Sequence, residues 1–461
     1  MTSATQTSRP ATNPATTSPA FQKQTTAGNY FVANYPPFAF WKPEFVPQLE
    51  SALEQPPHTR HPDGDTPLGQ YVHIPFCRKR CHFCYFKVYT DKDSSEVRGY
   101  LDALLREMAV YADKPAVRGR KLKFVYFGGG TPSYLSPDQL KLLTDGMKRL
   151  LPWDDVEEVT FEAEPGTLTD HKLKAIRDLG VTRLSLGIEH FDDHILEING
   201  RAHRSKEIAR AYAYAREIGF PQINIDLIAG MVEETEEKWR ETVAKAVALK
   251  PDSVTIYQME VPFNTGIYRQ MKADGKLVAP VADWETKREW VDYAYREFEK
   301  LGYTVTSGTT VVRDPAQVKF VYRQGLFSGA DILSIGVASF GHLNGVHYQN
   351  HHDFQPYLDA VNSGKLPVYR ALTPAEDERY IREFMLQLKL GSVSAETFTR
   401  KFGVHPRQQF AAPLARLNDW GFLAPTGQDA DRIGVTREGL LQIDRLLHEF
   451  FKPEHNTGRY A

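Results

Sequence analysis

The chain has 461 residues and a formal net charge of −2. Hydrophobic residues make up 41% and charged residues 25% of it, which is ordinary for a soluble globular protein. The near-neutral charge gives no general attraction to nucleic acid or to an anionic membrane. No apolar run is long enough to span a bilayer, and the N-terminus lacks the apolar core of a secretory signal. The length predicts one large core and a smaller domain.

The first 29 residues have the composition of a disordered tail. They are rich in Thr, Ser, Ala and Pro and contain no acidic residue. A transit peptide would need several arginines, whereas the only basic residues here are Arg9 and Lys23, so disorder is favoured. Residues 30–54 bring aromatics and prolines that are expected to pack on the main domain. We therefore predict a tail and N-terminal extension over residues 1–60.

All three cysteines of the chain lie in one stretch, YVHIPFCRKRCHFCYFKV. Cys77, Cys81 and Cys84 have the spacing C-x3-C-x2-C, which is too tight and too odd in number for a disulfide framework. The pattern suits a loop that wraps one small inorganic group. Free thiols also fit a reducing compartment, so the sequence predicts a cytoplasmic protein.

Two inorganic groups, a zinc ion and an iron–sulfur cluster, are candidates for binding by this loop. A structural zinc ion takes four ligands, and the only local candidates for the fourth are His73 and His82. A [4Fe–4S] cluster normally takes four thiolates, so three would leave one iron open. The motif favours the cluster over zinc. Three buried structural cysteines are disfavoured because the loop is rich in Arg, Lys and His.

From residue 70 onward, short apolar strands alternate with amphipathic helices. Strands are predicted at 70–74, 123–127, 159–164, 183–188, 224–228 and 253–259. Helices are predicted at 95–111, 137–150, 168–179, 205–218, 236–249 and 284–301. Six strand–helix units in series require parallel strands with right-handed crossovers, and six fall short of the eight that close a barrel. The sequence predicts an α/β fold, a partial (β/α)6 TIM-like barrel over residues 61–370. The cysteine loop and a GGGTP turn lie at its mouth.

Residues 371–461 change character and are predicted to form a second domain. Helices are expected at 374–388, 394–401 and 406–420, followed by a hairpin over 422–435 and a last helix to residue 451. This order resembles a winged helix. Because acidic and basic residues are balanced without a basic face, we expect a lid or substrate-side domain. Just before it, residues 350–353 (NHHD) are predicted to be a solvated loop rather than a metal site.

Taken together, these motifs carry a family resemblance. CRKRCHFC and GGGTP resemble the radical S-adenosylmethionine (SAM) superfamily. From about residue 69 to 451 the chain resembles the oxygen-independent coproporphyrinogen III oxidase family, including its haem-chaperone and methyltransferase or cyclopropanase relatives. The motifs that carry this likeness are YVHIPFC, FGGGTP, FEAEP, SLGIEHF and NIDLIAG.

The resemblance implies a radical enzyme with a [4Fe–4S] cluster on Cys77, Cys81 and Cys84. The open iron would chelate the amino and carboxylate groups of SAM. One electron, from a donor such as a flavodoxin or ferredoxin, would release methionine and a 5′-deoxyadenosyl radical. That radical would abstract hydrogen from a small-molecule substrate, a tetrapyrrole or another compound.

The resemblance also implies positions for two SAM molecules. Those matching the first are Tyr71, Gly129 and Glu162. Those matching the second are Phe83, Gly130, Thr131, Arg201 and Asp226, with Glu189 as a further contact and candidate catalytic residue. Residue type alone supports Glu162 and Asp226, since an unpaired carboxylate in an apolar strand is expensive. By type alone, Tyr71 would as readily be an ordinary strand aromatic, and Arg201 a solvated charge.

Two departures from the family pattern bear on the substrate. Phe86 stands where the oxidases usually have a further cysteine, and Glu189 stands where glutamine is common. An acid at this position would strengthen binding of a cationic sulfonium or accept a proton. Both departures count against decarboxylation of coproporphyrinogen, whereas the resemblance over most of the chain predicts an oxidase-like radical enzyme of porphyrin metabolism. A two-SAM methyl- or methylene-transfer enzyme and a haem chaperone remain as alternatives.

Overall fold

The structure is a computed structural model that describes residues 30–59, 64–275, 280–425 and 429–456. The predicted disordered tail over residues 1–29 lies outside the described residues. Within the described ranges, no helix is both long and apolar enough to cross a membrane.

Fourteen strands are present among the described residues. They are β1 (Leu68–Ile74), β2 (Leu122–Gly129), β3 (Glu158–Ala163), β4 (Arg183–Glu189), β5 (Gln222–Ala229), β6 (Ser253–Gln258), β7 (Thr304–Ser307), β8 (Thr310–Val312), β9 (Asp331–Ile335), β10 (Phe340–Leu343), β11 (Val346–Asn350), β12 (Val368–Leu372), β13 (Ser392–Ser394) and β14 (Arg432–Gly434). The first twelve form one sheet in the order β12-β11-β10-β9-β1-β2-β3-β4-β5-β6-β8-β7.

The helices lie between these strands and in the C-terminal part. They are α1 (Val46–Leu53), α2 (Ser94–Ala112), α3 (Pro137–Leu150), α4 (Asp170–Asp178), α5 (Asp193–Ile198), α6 (Ser205–Glu217), α7 (Glu236–Leu249), α8 (Gly266–Ala273), α9 (Trp284–Glu299), α10 (Val321–Phe327), α11 (Phe354–Asn362), α12 (Glu376–Leu388), α13 (Ala395–Phe402), α14 (Pro406–Gln409), α15 (Ala411–Asp419), α16 (Arg437–Leu441) and α17 (Ile443–Leu447).

The six predicted strand–helix units are confirmed. Strands β1 to β6 are neighbours in chain order and run parallel, and their bounds agree with the prediction within two residues at each end. The helices begin at capping side chains. Asp93 and Ser136 each form a capping box at the start of α2 and α3, a contribution of about 1 kcal/mol per cap.

The sheet is twice as wide as the six predicted strands. β9 returns to pair in parallel with β1, and β10, β11 and β12 extend that side as antiparallel strands. On the other side β6 pairs with β8 in antiparallel fashion. The fold is therefore α/β with a mixed sheet.

A buried carboxylate joins α2 to the strands added beside β1. Glu107 accepts hydrogen bonds from the Gly336 amide at 2.8 Å, the Asn350 side chain at 2.6 Å and the Tyr357 hydroxyl at 2.6 Å. Burial raises the pKa of Glu107 to about 7 despite these donors. The prediction that residues 350–353 form a solvated loop is wrong for Asn350, which is fully buried as the last residue of β11.

The C-terminal helices pack around an apolar cluster of their own. It includes Phe384 of α12, Leu417 of α15 and Leu447 of α17, and Val32 and Tyr35 from the N-terminal extension join it. The expected hairpin over 422–435 is reduced to a bridge at Leu423–Val435 among the described residues, because β14 pairs instead with β13. The helix predicted over 406–420 is divided between α14 and α15.

Candidate functional site

The predicted site residues lie where the parallel strands end. The carboxyl ends of such strands share one edge of the sheet, where α/β enzymes place their chemistry. β1 runs directly into the cysteine loop, and its last residue, Ile74, pairs with Gly129 at the end of β2. Glu162 lies on β3, Glu189 ends β4, and Asp226 lies on β5.

The three thiols are close enough to influence one another. Cys77 is buried and Cys81 and Cys84 are half-buried. Burial raises the pKa of Cys77 to about 12 and that of Cys84 to about 11, and the neighbouring thiols add to both shifts. No group of three or more His, Cys, Asp or Glu in the described ranges has an arrangement suited to a single metal ion.

Two hydrogen-bond donors from outside the loop point at its sulfur atoms. Thr131 Oγ1 donates to Cys77 Sγ at 3.3 Å, and Arg201 Nη1 donates to Cys81 Sγ at 3.4 Å. Hydrogen bonds and a nearby positive charge stabilise a thiolate. The loop thus holds the donors that a thiolate-ligated group requires.

Contacts that the sequence analysis missed fix the loop on the barrel. The His82 amide donates to Asn199 O at 3.0 Å, and the His82 ring contacts Ile198 O at 2.9 Å. Arg78 forms an ion pair with Glu164 at 2.8 Å. Burial alone would raise the pKa of Glu164, but its positively charged and hydrogen-bonding neighbours lower it to about 2. Glu164 is the second Glu of the FEAEP motif and directly follows the buried strand β3. That position could have identified Glu164 from the sequence.

The glycine turn after β2 is joined to the cysteine loop through its backbone. The Gly130 amide donates to Ile74 O at 2.8 Å, and the Thr131 amide donates to Phe76 O at 2.9 Å. Gly129 has a φ of +110°, and a Cβ there would lie 2.6 Å from the His73 ring. His73 is buried, which lowers its pKa to about 4. Residue 129 must therefore be glycine for packing within the chain, whether or not a cofactor also contacts it.

The structure brings Glu162, Glu189 and Asp226 together. Burial raises the pKa of Glu162 and of Glu189 to about 7, and repulsion from Asp226 adds to both. Burial also raises the pKa of Asp226, although Ser185 and Asn224 each donate to it at 2.9 Å. Three carboxylates gathered in one place attract a positively charged ligand, although Arg201 and Arg183 offset part of their charge.

Arg201 connects the acids to the cysteine loop. Its Nη2 lies 3.6 Å from Glu189 Oε1 and donates to Gly187 O at 2.6 Å, while Nη1 reaches Cys81. Its side chain is only 11% exposed, so the solvated-charge alternative for Arg201 is wrong. Glu189 has a φ of +65° at a register shift between β4 and β5, a backbone conformation uncommon outside glycine.

The two predicted aromatic contacts lie on different sides of the site. Tyr71 is half-buried on β1, with its hydroxyl 3.2 Å from His73 Nδ1 and its ring stacked on Tyr126 at 5.8 Å. Phe83 packs against an apolar cluster that includes Met231 and Met259, which follow β5 and β6. The structure therefore places Phe83 against the ends of β5 and β6, away from Tyr71.

Tyr257 on β6 lies near the acids. It is 43% exposed, yet burial, followed by Asp226 and Glu162, raises its pKa well above the usual value. Beyond it, aromatic side chains are exposed around the cysteine loop: Tyr85, Phe86 (46%) and Phe263 (50%).

Comparisons with known proteins identify the family. Residues 71–246 match the model of the radical SAM superfamily. The chain is 31% identical over 383 residues to the heme chaperone HemW of Bacillus subtilis, covering 82% of this chain and 98% of that protein. This chain belongs to the HemN/HemW family of radical SAM proteins. It is also 26% identical to the oxygen-independent coproporphyrinogen III oxidase of Pseudomonas aeruginosa, over 86% of this chain and 88% of the relative.

A solved structure shares the fold of this family member. The coproporphyrinogen III oxidase HemN of Escherichia coli superposes with a TM-score of 0.77 at 24% identity, over 91% of this chain and 96% of that one. Radical SAM proteins use a [4Fe–4S] cluster and SAM. The converging thiols, the donors aimed at two of them and the acid-lined interior fit an anionic thiolate-bound cluster beside a cationic sulfonium.

Proposed function

We propose that this chain is a radical SAM enzyme that abstracts hydrogen from a small-molecule substrate of the porphyrin class. The observation that carries the proposal is the buried group of three acids, Glu162, Glu189 and Asp226, joined through Arg201 to the cysteine loop. When bound, the cluster and SAM supply a 5′-deoxyadenosyl radical.

Different residues of the chain would bind the cluster and each of the two SAM molecules. Cys77, Cys81 and Cys84 would hold the cluster. Positions assigned to a first SAM are Tyr71, Gly129 and Glu162, and those assigned to a second are Phe83, Gly130, Thr131, Glu189, Arg201 and Asp226. A sulfonium near the carboxylates would lower their pKa values again and keep them ionised. SAM binding is thus expected to increase the ionised fraction of Glu162 and Glu189.

The aromatic rim supports a substrate with a large ring system. Tyr85 and Phe86 lie with ring centroids 4.7 Å apart, and the Asn264 side chain donates to Tyr85 O at 2.9 Å, which holds this part of the loop. Large exposed aromatic side chains gathered in one place mark a binding surface. A tetrapyrrole has the ring area to cover them.

We propose residues 371–461 as a substrate-side domain that borders this rim. Gln258, the last residue of β6, donates to Leu441 O at 2.9 Å. Nearby, the Phe31 amide donates to Glu260 at 2.7 Å and the Val32 amide donates to Asp444 at 2.7 Å. The N-terminal extension and the C-terminal helices thus meet beside the carboxyl end of β6. The electron donor would be a flavodoxin or ferredoxin of the cytoplasm.

Product analysis tests the proposal. Full-length chain with a reconstituted cluster is incubated anaerobically with SAM, a reductant and coproporphyrinogen III. We expect 5′-deoxyadenosine together with decarboxylated porphyrinogen, and neither product from Cys81→Ala. Intact coproporphyrinogen, with 5′-deoxyadenosine still formed, would reject the oxidase assignment.

Two observations favour other outcomes of the same experiment. The likeness to HemW supports a heme chaperone, which would bind haem with no SAM cleavage. The acid at Glu189, 3.6 Å from Arg201, supports methyl or methylene transfer from a second SAM. That reaction would yield S-adenosylhomocysteine beside 5′-deoxyadenosine.

A further inference from the structure

A cavity opens at the end of the barrel opposite the cysteine loop. Its volume is about 170 Å³, whereas a single water needs only about 10–15 Å³ of accessible cavity space. Arg183 and Ser253, the first residues of β4 and β6, form its inner wall, and residues 315–320 form its outer wall. Because β4 and β6 run parallel to β1, this cavity lies away from the edge that carries the predicted cofactor residues.

The lining is basic and hydroxylated. Its polar side chains are Arg183, Arg323, Lys319, Ser253, Thr306, Thr310 and Gln324, and no Asp or Glu of the described chain is among the lining residues. Three cations around one cavity with no acid in its wall are uncommon, since buried charges are normally paired.

The two arginines are held in place from within the chain. Arg323 Nη1 donates to Ser307 Oγ at 2.9 Å and to Thr310 Oγ1 at 2.6 Å. The Phe320 ring is contacted by both guanidinium groups, with Cζ of Arg183 at 3.9 Å and Cζ of Arg323 at 5.3 Å from its centroid. The cations are therefore rigidly presented, as a preformed binding site requires.

Hydrogen bonding in the cavity is incomplete. Arg183 is 2% exposed, and its guanidinium lies over the Phe320 ring. Arg323 Nε is buried and has no hydrogen-bond partner within the described part of the chain. Burial lowers the pKa of Arg323 to about 10, and repulsion from Arg183 adds to the shift.

Three acids lie beyond the residues that line the cavity. Glu158 Oε1 and Oε2 accept the amides of Tyr322 and Val321 at 3.1 and 2.9 Å, and the charge of Glu158 favours the ionised form of Arg323. Glu162 and Asp226 interact with Arg183 from the acid group described above. These acids offset part of the positive charge, but none of them lines the cavity.

We propose that this cavity is a binding site for a phosphate dianion, either free phosphate or a phosphate monoester. Two guanidinium groups and an ammonium at the rim match a tetrahedral, doubly charged oxyanion. Arginine provides paired donors for phosphate. The assignment is independent of the radical chemistry.

Isothermal titration of the full-length chain, with its cluster reconstituted and in its absence, tests the assignment with inorganic phosphate at constant ionic strength. We expect saturable binding that Arg323→Gln weakens by about 10- to 100-fold, the loss expected for a hydrogen bond to a charged group. Lys319→Ala, at the exposed rim, should weaken it less. Arg98→Gln, an exposed arginine on α2, should bind like the wild type.

Further ligands distinguish the source of the phosphate group. Phenyl phosphate binding more tightly than inorganic phosphate would assign the site to a monoester, and the reverse order to free phosphate. Acetate binding as tightly as phosphate would overturn the dianion assignment. Absence of saturable phosphate binding to the wild type, or equal binding by wild type, Arg323→Gln and Lys319→Ala, would overturn the proposal as a whole. The Lys319 variant keeps the test valid if Arg323→Gln does not fold.

Discussion

Substitution of Gly129 by alanine tests the packing of the glycine turn against the cysteine strand. The new Cβ would lie 2.6 Å from His73 Cε1 and Nδ1, and φ at this position is +110°. Positive φ costs a non-glycine residue about 1–2 kcal/mol, and overpacking a close contact adds about 1–3 kcal/mol. We therefore expect Gly129→Ala to lower the free energy of unfolding by roughly 2–5 kcal/mol.

The chain offers a matched control for this change. Gly119 also has a positive φ, +76°, but a Cβ there meets nothing within 4 Å, so Gly119→Ala should show only the backbone term. Urea unfolding of both variants, and of Gly129→Ala combined with His73→Ala, separates the two contributions. The coupling energy in the double-mutant cycle should be about 1–3 kcal/mol. Equal losses for Gly119→Ala and Gly129→Ala, or no coupling to His73, would refute the packing argument.

Three further changes probe the site and the fold. Glu189→Gln should reduce binding of a second SAM, measured as SAM bound per chain, and leave 5′-deoxyadenosine formation nearly intact; loss of both would contradict the assignment. Arg78→Ala removes the ion pair with Glu164 and should lower cluster occupancy, measured as iron per chain, while Arg98→Ala should not. Burial raises the pKa of Glu107 from 4.5 to about 7, so the wild type should lose about 3 kcal/mol of stability between pH 4.5 and 8. Glu107→Gln should lack that part of the slope in urea unfolding, and an unchanged slope would exclude Glu107 as its source.

The strand–helix units could be predicted because their signals are local. Apolar residues at helical spacing and short buried runs mark β1 to β6 and their helices within two residues. Strands β7, β8, β11 and β12 escaped prediction because they have three to five residues each and are defined by pairing with distant segments. The part of the sheet beside β1 also depends on contacts such as the hydrogen bond from Asn350 to Glu107. No periodic pattern in the sequence predicts such a contact.

The candidate site was likewise predictable only in part. The cysteines and the acids within apolar strands could be recognised by residue type, and the structure brings Glu162, Glu189 and Asp226 together. Arg201 was assigned by resemblance alone. It lies in a loop, and its role in the site depends on its hydrogen bonds to Cys81 Sγ and Gly187 O. The His82–Asn199 contact and the phosphate cavity escaped prediction, since both join residues far apart in the chain.

The central claim is that the three thiols and the acid group together support radical SAM chemistry. Its most direct test is 5′-deoxyadenosine formation by the full-length chain after anaerobic cluster reconstitution, with SAM and a strong reductant, quantified by mass spectrometry. Wild type is predicted to form 5′-deoxyadenosine and methionine in equal amounts, and Cys81→Ala to form neither. A wild-type chain that carries the cluster and binds SAM but forms no 5′-deoxyadenosine would contradict the account.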